Sequence, residues 1–470
     1  MKRTKILATF GPAIASQHTV RQLVNSGANG FRVNCSHGDR DSFIRAVRLI
    51  RAGSKSVQYP VGILFDISGP KLRLARFEGE LKLAQGATIT LSVGHTDLSK
   101  RVVGVNHPAI IQSVSKGERV FIDDGKIGLQ ALNKGSRTVQ LRALNSGVLQ
   151  SAKGVNLPDS KIKIPTIGPK DRADIKTAVE LQADFIALSF VRSPDDIKQA
   201  RKLITQFGGK QKIIAKLEKR EAIEELDLIM ELSDGVMVAR GDLGVELPPE
   251  ELPRLQKRII SMANRQHKMV IVATQMLESM RFSPRATRAE INDVASAVFD
   301  LADVVMLSAE TATGEYPLEA VRTMASVIEA TERGRLSHDA DAGHPHVHFS
   351  DAMAIARLVS RASDNRDVPV IFAFTTSGFT AALISNLFPP QPVIALTPHA
   401  DVMRQCSLLR SVYPIKISQP GSFEGMLRAV NRLSSTYNLA KPGQRVIITG
   451  GAPFGSTVAT NFMMFHEVKK

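Results

Sequence analysis

The 470-residue chain has no tryptophan, only four tyrosines and only two cysteines, Cys35 and Cys406. Two distant cysteines exclude a disulfide framework and fit a reducing cytosol, so a cytoplasmic location is expected. No apolar run is long enough to cross a membrane, so no membrane partner is expected. The opening MKRTKILATFGP is basic and then apolar, but Gly11-Pro12 ends it too early for a secretion signal. A GxxxxGK[ST] loop is absent, which excludes a P-loop nucleotide site. Also missing is any dense basic block or basic tract interleaved with aromatics, although Lys and Arg outnumber Asp and Glu by 61 to 45. The resulting charge of +16 therefore reads as a diffuse field for anionic ligands, with nucleic acid the lesser alternative.

What is present is length and rhythm. A chain this long implies two or three domains. Apolar runs of buried-strand character alternate with amphipathic helical segments: Thr4–Phe10, Gly30–Ser36 and Val61–Ile67 first, then a break after Gly69-Pro70. From Lys71 to Ile167 the period drops to two, with turns at Lys116-Gly117, Asp124-Gly125 and Lys134-Gly135, the pattern of an all-β insertion. Alternation resumes with strands at Asp184–Val191, Lys212–Glu218, Gly235–Arg240, Met269–Gln275 and Asp303–Glu310. Ser193-Pro194-Asp195 marks a helix start. Eight strands, each followed by a helix apart from the insertion, predict an α/β chain whose main unit is a (β/α)8 TIM barrel. It comprises residues 1–70 and 168–337, with 71–167 as a small inserted β-barrel lid. Residues 338–348 form a polar, His-rich linker, in which metal binding is a lesser reading; 349–470 form a C-terminal α/β domain with an open, mostly parallel sheet.

Barrel chemistry sits where strands exit. Glu218 and Asp242 follow consecutive strands, and two carboxylates with waters and substrate oxygens suit Mg2+ or Mn2+. Lys216 lies two residues before Glu218 and shares its side of the strand, placing an ammonium beside a metal-bound anion. The alternative is a structural ion triad of Lys216 with the two carboxylates. In GVMVARGDLGVELP, an apolar strand turns into Arg240, Gly241, Asp242 and Gly244, read as a glycine turn that brings backbone close to a ligand. Asn34, Ser36 and Asp66 offer oxygens for a monovalent cation or a nucleotide phosphate, or else the first two cap a turn. His37 reads equally as a general base or a turn histidine. Thr375-Thr376-Ser377-Gly378 opens a helix, as a phosphate site or an ordinary N-cap.

The stretches TKILATFGPA, FRVNCSHG, FDISGPKLR, FIDDGKIG, KGVNLP, IIAKLE, SDGVMVARGDLGVEL, VATQMLESM, ATRAE and DVVMLSAETATGEYPLEAV, with their domain order, resemble the pyruvate kinase family. The resemblance implies phosphoryl transfer from phosphoenolpyruvate to ADP, giving pyruvate and ATP, the last step of glycolysis. It further implies that Glu218 and Asp242 hold the divalent metal and that Lys216 stabilises the phosphoryl group in flight. Arg32 would contact the phosphate, the amides of Gly241 and Asp242 would take the substrate carboxylate, and Thr274 would assist enolate protonation. Arg73 and Lys170 would reach the nucleotide phosphates, with Asn34 and His37 close by, and the insertion would act as a lid. Asn34, Ser36, Asp66 and Ile67 would form the K+ corner, and a homotetramer would be the assembly.

The chain departs from the family pattern in several places. Cys35 replaces an aromatic, Ile67 replaces a threonine whose main-chain carbonyl is the ligand, and Ala286 replaces a proline. Where potassium-dependent members carry a glutamate, this chain has Lys100, whose ammonium is expected to replace K+. In the C-terminal domain, Thr375, Thr376, Ser377, Gly378 and Thr380 resemble an effector site, but Phe379 stands where regulated members have a basic residue. Fructose 1,6-bisphosphate control is therefore not expected, which leaves a monophosphorylated sugar, AMP or no effector. Two other readings stand beside this one: a different metal-dependent barrel such as an aldolase, and a basic RNA-binding or scaffolding protein.

Overall fold

The computed structural model describes residues 2–55, 57, 60–333, 350–364, 367–453 and 458–469. The expected linker at 338–348 lies outside them. Eight parallel strands close into a barrel: Lys5–Thr9, Gly30–Asn34, Gly62–Ile67, Phe185–Leu188, Lys212–Leu217, Gly235–Ala239, Met269–Ala273 and Val304–Leu307. The last pairs with the first, Lys5 opposite Val304, which removes both sheet edges.

These segments form buried strands because every residue in KILAT, GILFDI, GVMVA and MVIVA is covered. Alternate residues face opposite ways. Ile6, Ile63, Ile213 and Val236 pack in the large cluster with the surrounding helices. Leu7, Leu64, Ile214, Met237 and Ile271 fill another cluster, which continues into Met353, Leu408 and Val412 of the C-terminal region. The C-terminal unit thus plugs the barrel's N-terminal face and leaves the opposite mouth for ligands. Close approach at this seam demands glycine at position 30, where a Cβ would fall 2.9 Å from Leu408 Cδ2.

Apart from the third, which ends at Ile67 as expected, the observed strands stop one to three residues before the expected exits. Thr274 and Gln275 leave the seventh strand at φ 71° and 55°. The expected glycine turn after Ala239 is instead a short helix, Arg240–Glu246. Its glycines are tolerated because Leu243 is buried in the large cluster and anchors the turn. The helical segment after the fifth strand is split at Glu225 into Arg220–Glu224 and Leu226–Leu232. The Ser193-Pro194 signal does start a helix, Pro194–Gln206, where Asp196 Oδ2 accepts from Ser193 N at 3.0 Å.

Between the third and fourth barrel strands, the chain builds a six-stranded mixed sheet and a two-stranded ribbon. A one-turn helix, Ala109–Ser113, interrupts this β insertion. The C-terminal region has a five-stranded sheet. Four strands run parallel, while Phe462–Glu467 pairs antiparallel with Arg445–Gly450.

Candidate active site

The exits of barrel strands two to five converge on one buried charge cluster. Asp66, 2% exposed, is the penultimate residue of its strand and lies opposite Asn34. Its Oδ2 accepts from Arg32 Nε at 2.7 Å, and its Oδ1 lies 3.1 Å from Lys216 Nζ. Lys216 Nζ also reaches Glu218 Oε1 at 2.7 Å and donates to Ser189 Oγ at 2.7 Å. Ser189 Oγ in turn donates to Asp66 Oδ1 at 3.2 Å. Glu218 is fixed from behind by the Phe190 amide, which donates to Oε2 at 2.8 Å.

Burial works against charge on Lys216, but the Asp66 and Glu218 carboxylates outweigh it and hold its pKa above the ordinary lysine value. Burial likewise opposes ionisation of Asp66, and Lys216 and Arg32 overcome it, so this carboxyl titrates below its usual range. The structural triad expected as an alternative is therefore present in altered form, with Asp66 in place of Asp242.

Asp242 behaves differently. Among the described residues its carboxylate has no hydrogen-bond or ion-pair partner. Burial, with the Glu218 carboxylate adding to it, pushes its pKa up to about 7. A half-buried carboxylate without a cation of its own, next to a second carboxylate, suits a divalent ion held by two protein oxygens. No group of three or more His, Cys, Asp or Glu with metal-binding geometry occurs among the described residues. Mg2+ fits such a sparse set, since it keeps most of its shell for water and phosphate oxygens.

Thr274 stands across from this group. The Gly241 amide donates to Thr274 Oγ1 at 2.8 Å, and Oγ1 donates to the Ala273 carbonyl at 2.6 Å. An added Cβ at Gly241 would meet Thr274 first, no closer than 3.6 Å, so packing within the chain does not require glycine there.

A cavity of about 370 Å3 opens between the barrel mouth and the insertion. Its walls include Lys71, Arg73, Asp124, Lys153, Arg192 and Asp242. Arg192 donates both terminal nitrogens to the Ile162 and Ile164 carbonyls, tying the end of the insertion to the barrel. Lys170, on the helix Pro169–Glu180, donates to the Cys35 carbonyl at 2.7 Å and pairs with Asp174 at 2.6 Å, so it sits over the NCSHG loop. His37 has its pKa lowered by burial and by Lys71, Arg73, Arg32 and Lys170, which puts these cations in one electrostatic neighbourhood. Asn34 Oδ1 accepts from Ser36 N at 3.1 Å, the turn-capping arrangement, and Ile67 is fully buried.

Lys100 is not brought to this corner. It lies in a turn of the insertion, 79% exposed, and pairs with Asp97 at 3.6 Å. The Thr375–Thr380 segment lies far along the chain and lines its own cavity of about 360 Å3. Here Thr375 Oγ1 accepts from Gly378 N at 2.9 Å, Thr380 Oγ1 meets Thr460 Oγ1 at 2.7 Å, and Gly378 holds φ 84°. The helix begins at Phe379, directly after Thr375-Thr376-Ser377-Gly378, with Gly378 at its N-cap.

Sequence reasoning missed Ser189, which links Asp66 to Lys216. Its signal was available, since it is the one polar residue inside the apolar stretch FIALSFV. Lys71 and Lys153 were missed because both lie in connecting segments outside any strand, where no periodicity marks them.

Comparison with known proteins accounts for this arrangement. Residues 1–321 match the family model for the pyruvate kinase barrel domain, and 353–466 match that for the pyruvate kinase alpha/beta domain. A pyruvate kinase from Agrobacterium vitis is 40% identical over 464 residues, covering 98% of this chain and 97% of the relative. Pyruvate kinase 2 from Synechocystis sp. is 38% identical over all of this chain and 80% of its own length. The crystal structure of a pyruvate kinase from Cryptosporidium parvum superposes with a TM-score of 0.92 at 34% identity, covering 99% of this chain and 96% of that one. The chain belongs to the pyruvate kinase family, phosphotransferases that pass a phosphoryl group between phosphoenolpyruvate and ADP.

Proposed function

We propose that this chain moves the phosphoryl group of phosphoenolpyruvate to ADP with Lys216, Arg32 and Thr274 as catalytic residues. The observation that carries the assignment is the Arg32–Asp66–Lys216–Glu218 cluster beside an Asp242 carboxylate that has no partner among the described residues. Arg32 binds the phosphate, and Lys216, kept charged by its two carboxylates, stabilises the phosphoryl oxygens as the bond to the enol oxygen breaks. Glu218 and Asp242 would hold Mg2+ or Mn2+, which supplies positive charge at the phosphoryl and enolate oxygens. The amides of Gly241 and Asp242 receive the substrate carboxylate. Thr274 faces the methylene carbon of the enolate, where a proton is added to complete pyruvate. Arg73 and Lys170, with Asn34 and His37, take the nucleotide phosphates.

Residues 71–167 serve as the lid on the catalytic unit formed by 1–70 and 168–337, and exclude water so that ADP is the acceptor. Residues 349–470 carry subunit contacts in a homotetramer and a phosphate effector site at Thr375, Thr376, Ser377, Gly378 and Thr380. Among the described residues lining that site none is Lys or Arg, which favours a monophosphate over a bisphosphate. No described helix is long and apolar enough to cross a membrane, and we place the enzyme in the cytoplasm. The K+ corner is Asn34, Ser36, Asp66 and Ile67. Lys100 can replace the ion only by leaving Asp97 when the lid moves.

Titration with Mn2+ tests the metal assignment. Wild type binds one ion per chain, and Glu218→Gln and Asp242→Asn each weaken binding at least tenfold. Unchanged affinity in both refutes the site. Pyruvate formation with and without K+ tests Lys100: full activity without K+ that becomes K+-dependent in Lys100→Glu supports the substitution, and a K+ requirement in wild type refutes it.

A further inference from the structure

We infer that Arg240 is a positioning residue that fixes Thr274, an assignment that rests on the reading of Thr274 as the residue facing the enolate carbon. Arg240 opens the short helix after the sixth strand, and its side chain is 14% exposed. It contacts none of the cluster formed by Arg32, Asp66, Lys216 and Glu218. Its Nη2 donates to the Thr274 carbonyl at 2.6 Å and touches Met276 Sδ at 2.9 Å. Nη1 donates to Asp293 Oδ1 at 2.6 Å, on the helix Arg288–Phe299. The guanidinium therefore joins three consecutive parts of the barrel mouth: the exit of strand six, the exit of strand seven and the helix that follows strand seven.

The strap acts where the backbone needs it. Thr274 is β-branched and sits at φ 71°, with Gln275 at φ 55° behind it. A left-handed β-branched residue is rare, and each such position costs about 1–3 kcal/mol unless its surroundings fix it. Here residues 240 and 241 hold Thr274 at two points. Arg240 takes the carbonyl, and the Gly241 amide takes the hydroxyl oxygen. When a substrate carboxylate claims the Gly241 amide, the hydroxyl loses that anchor. The Arg240 bond then keeps the Thr274 backbone in place, while the bond from Oγ1 to the Ala273 carbonyl keeps the hydroxyl aimed at the reacting carbon.

A planar fork is required for this task. An ammonium can satisfy Asp293 or the Thr274 carbonyl, but it cannot span both with fixed geometry. Arg240→Lys is expected to lower kcat by about 10–100-fold, the scale set by a misplacement near 1 Å, while KM for phosphoenolpyruvate moves less than threefold. Asp293→Asn, which leaves Arg240 in place with a weaker anchor, is expected to give a smaller loss in the same direction.

The deciding readout is the exchange of pyruvate methyl protons for deuterium, followed by NMR in D2O with Mg2+ and ATP. Arg240→Lys should slow this exchange as much as it slows kcat. In a Thr274→Ala background, Arg240→Lys should add no further loss. Additive losses, or a rise in KM with kcat unchanged, overturn the Arg240 assignment and leave the Thr274 reading standing. Wild-type exchange in Thr274→Ala alone overturns the Thr274 reading, and the strap with it.

Discussion

Replacing Asp66 by asparagine removes one negative charge from a buried group and leaves its volume nearly unchanged. Asp66 now accepts from Arg32 at 2.7 Å and from Ser189 at 3.2 Å, and it pairs with Lys216 at 3.1 Å. An asparagine offers one acceptor oxygen, and its amide nitrogen would face one of these donors. A unit charge 3.1 Å from Lys216 is worth about 5 kcal/mol at an effective dielectric near 20. Breaking a buried pair from one side costs about 3–5 kcal/mol. Lys216 keeps Glu218 and Ser189, and Arg32 keeps a 3.2 Å bond to Thr9 Oγ1, so neither cation is left without a partner and the lower end applies. A loss of about 3 kcal/mol appearing in the transition state is a fall of roughly 10^2-fold in kcat/KM. Steady-state pyruvate formation measures it, with thermal melting as the check on folding. Ser189→Ala, which removes one neutral donor, should cost only about 1 kcal/mol. A folded Asp66→Asn enzyme within threefold of wild type would refute the claim that Asp66 holds Arg32 and Lys216 in their working state.

Two further predictions concern the C-terminal side of the molecule. Asp303 is buried at the foot of the eighth strand with its pKa pushed up to about 6, burial being the cause that outweighs hydrogen bonds from Val270 and Arg410. Because the folded carboxyl binds its proton more tightly than an unfolded one near 3.9, its stabilisation is complete below that value and is lost as pH rises through about 6. Asp303→Asn should therefore gain up to about 3 kcal/mol relative to wild type between pH 4 and pH 8, seen as converging or crossing melting curves; a pH-independent difference contradicts this. For the effector site, a monophosphorylated sugar or AMP should lower the phosphoenolpyruvate concentration at half-maximal rate in wild type but not in Ser377→Asp. Fructose 1,6-bisphosphate should do nothing in either, and its activation of wild type would refute the monophosphate reading.

Much of the fold was legible because buried parallel strands are written as unbroken apolar runs, and GILFDI, GVMVA and MVIVA all sit where those runs predict. The antiparallel strand Phe462–Glu467 was not, since FMMFHE neither alternates nor ends in turn residues and owes its pairing to its neighbour. The helix at Arg240–Glu246 was read as a turn because its two glycines argue against helix locally; packing of Leu243 overrides them. Lys216, Glu218 and Asp242 were legible from strand exits alone. The pairing of Lys216 with Asp66 was not, because Asp66 reaches it past the intervening fourth strand from 150 positions earlier (216 − 66), a relation no local spacing encodes. Arg240 was visible as a residue without a task, and only its bonds to Thr274 and Asp293 give it one.

The central claim is that a charged Lys216, framed by Asp66 and Glu218, carries phosphoryl transfer. Pyruvate formation from phosphoenolpyruvate, ADP and Mg2+ should be robust in wild type. In Lys216→Met, kcat should fall by at least about 10^3-fold, the scale of losing a group that stabilises charge in the transition state, while Mn2+ still binds. Near-wild-type turnover by a folded Lys216→Met enzyme would contradict the account.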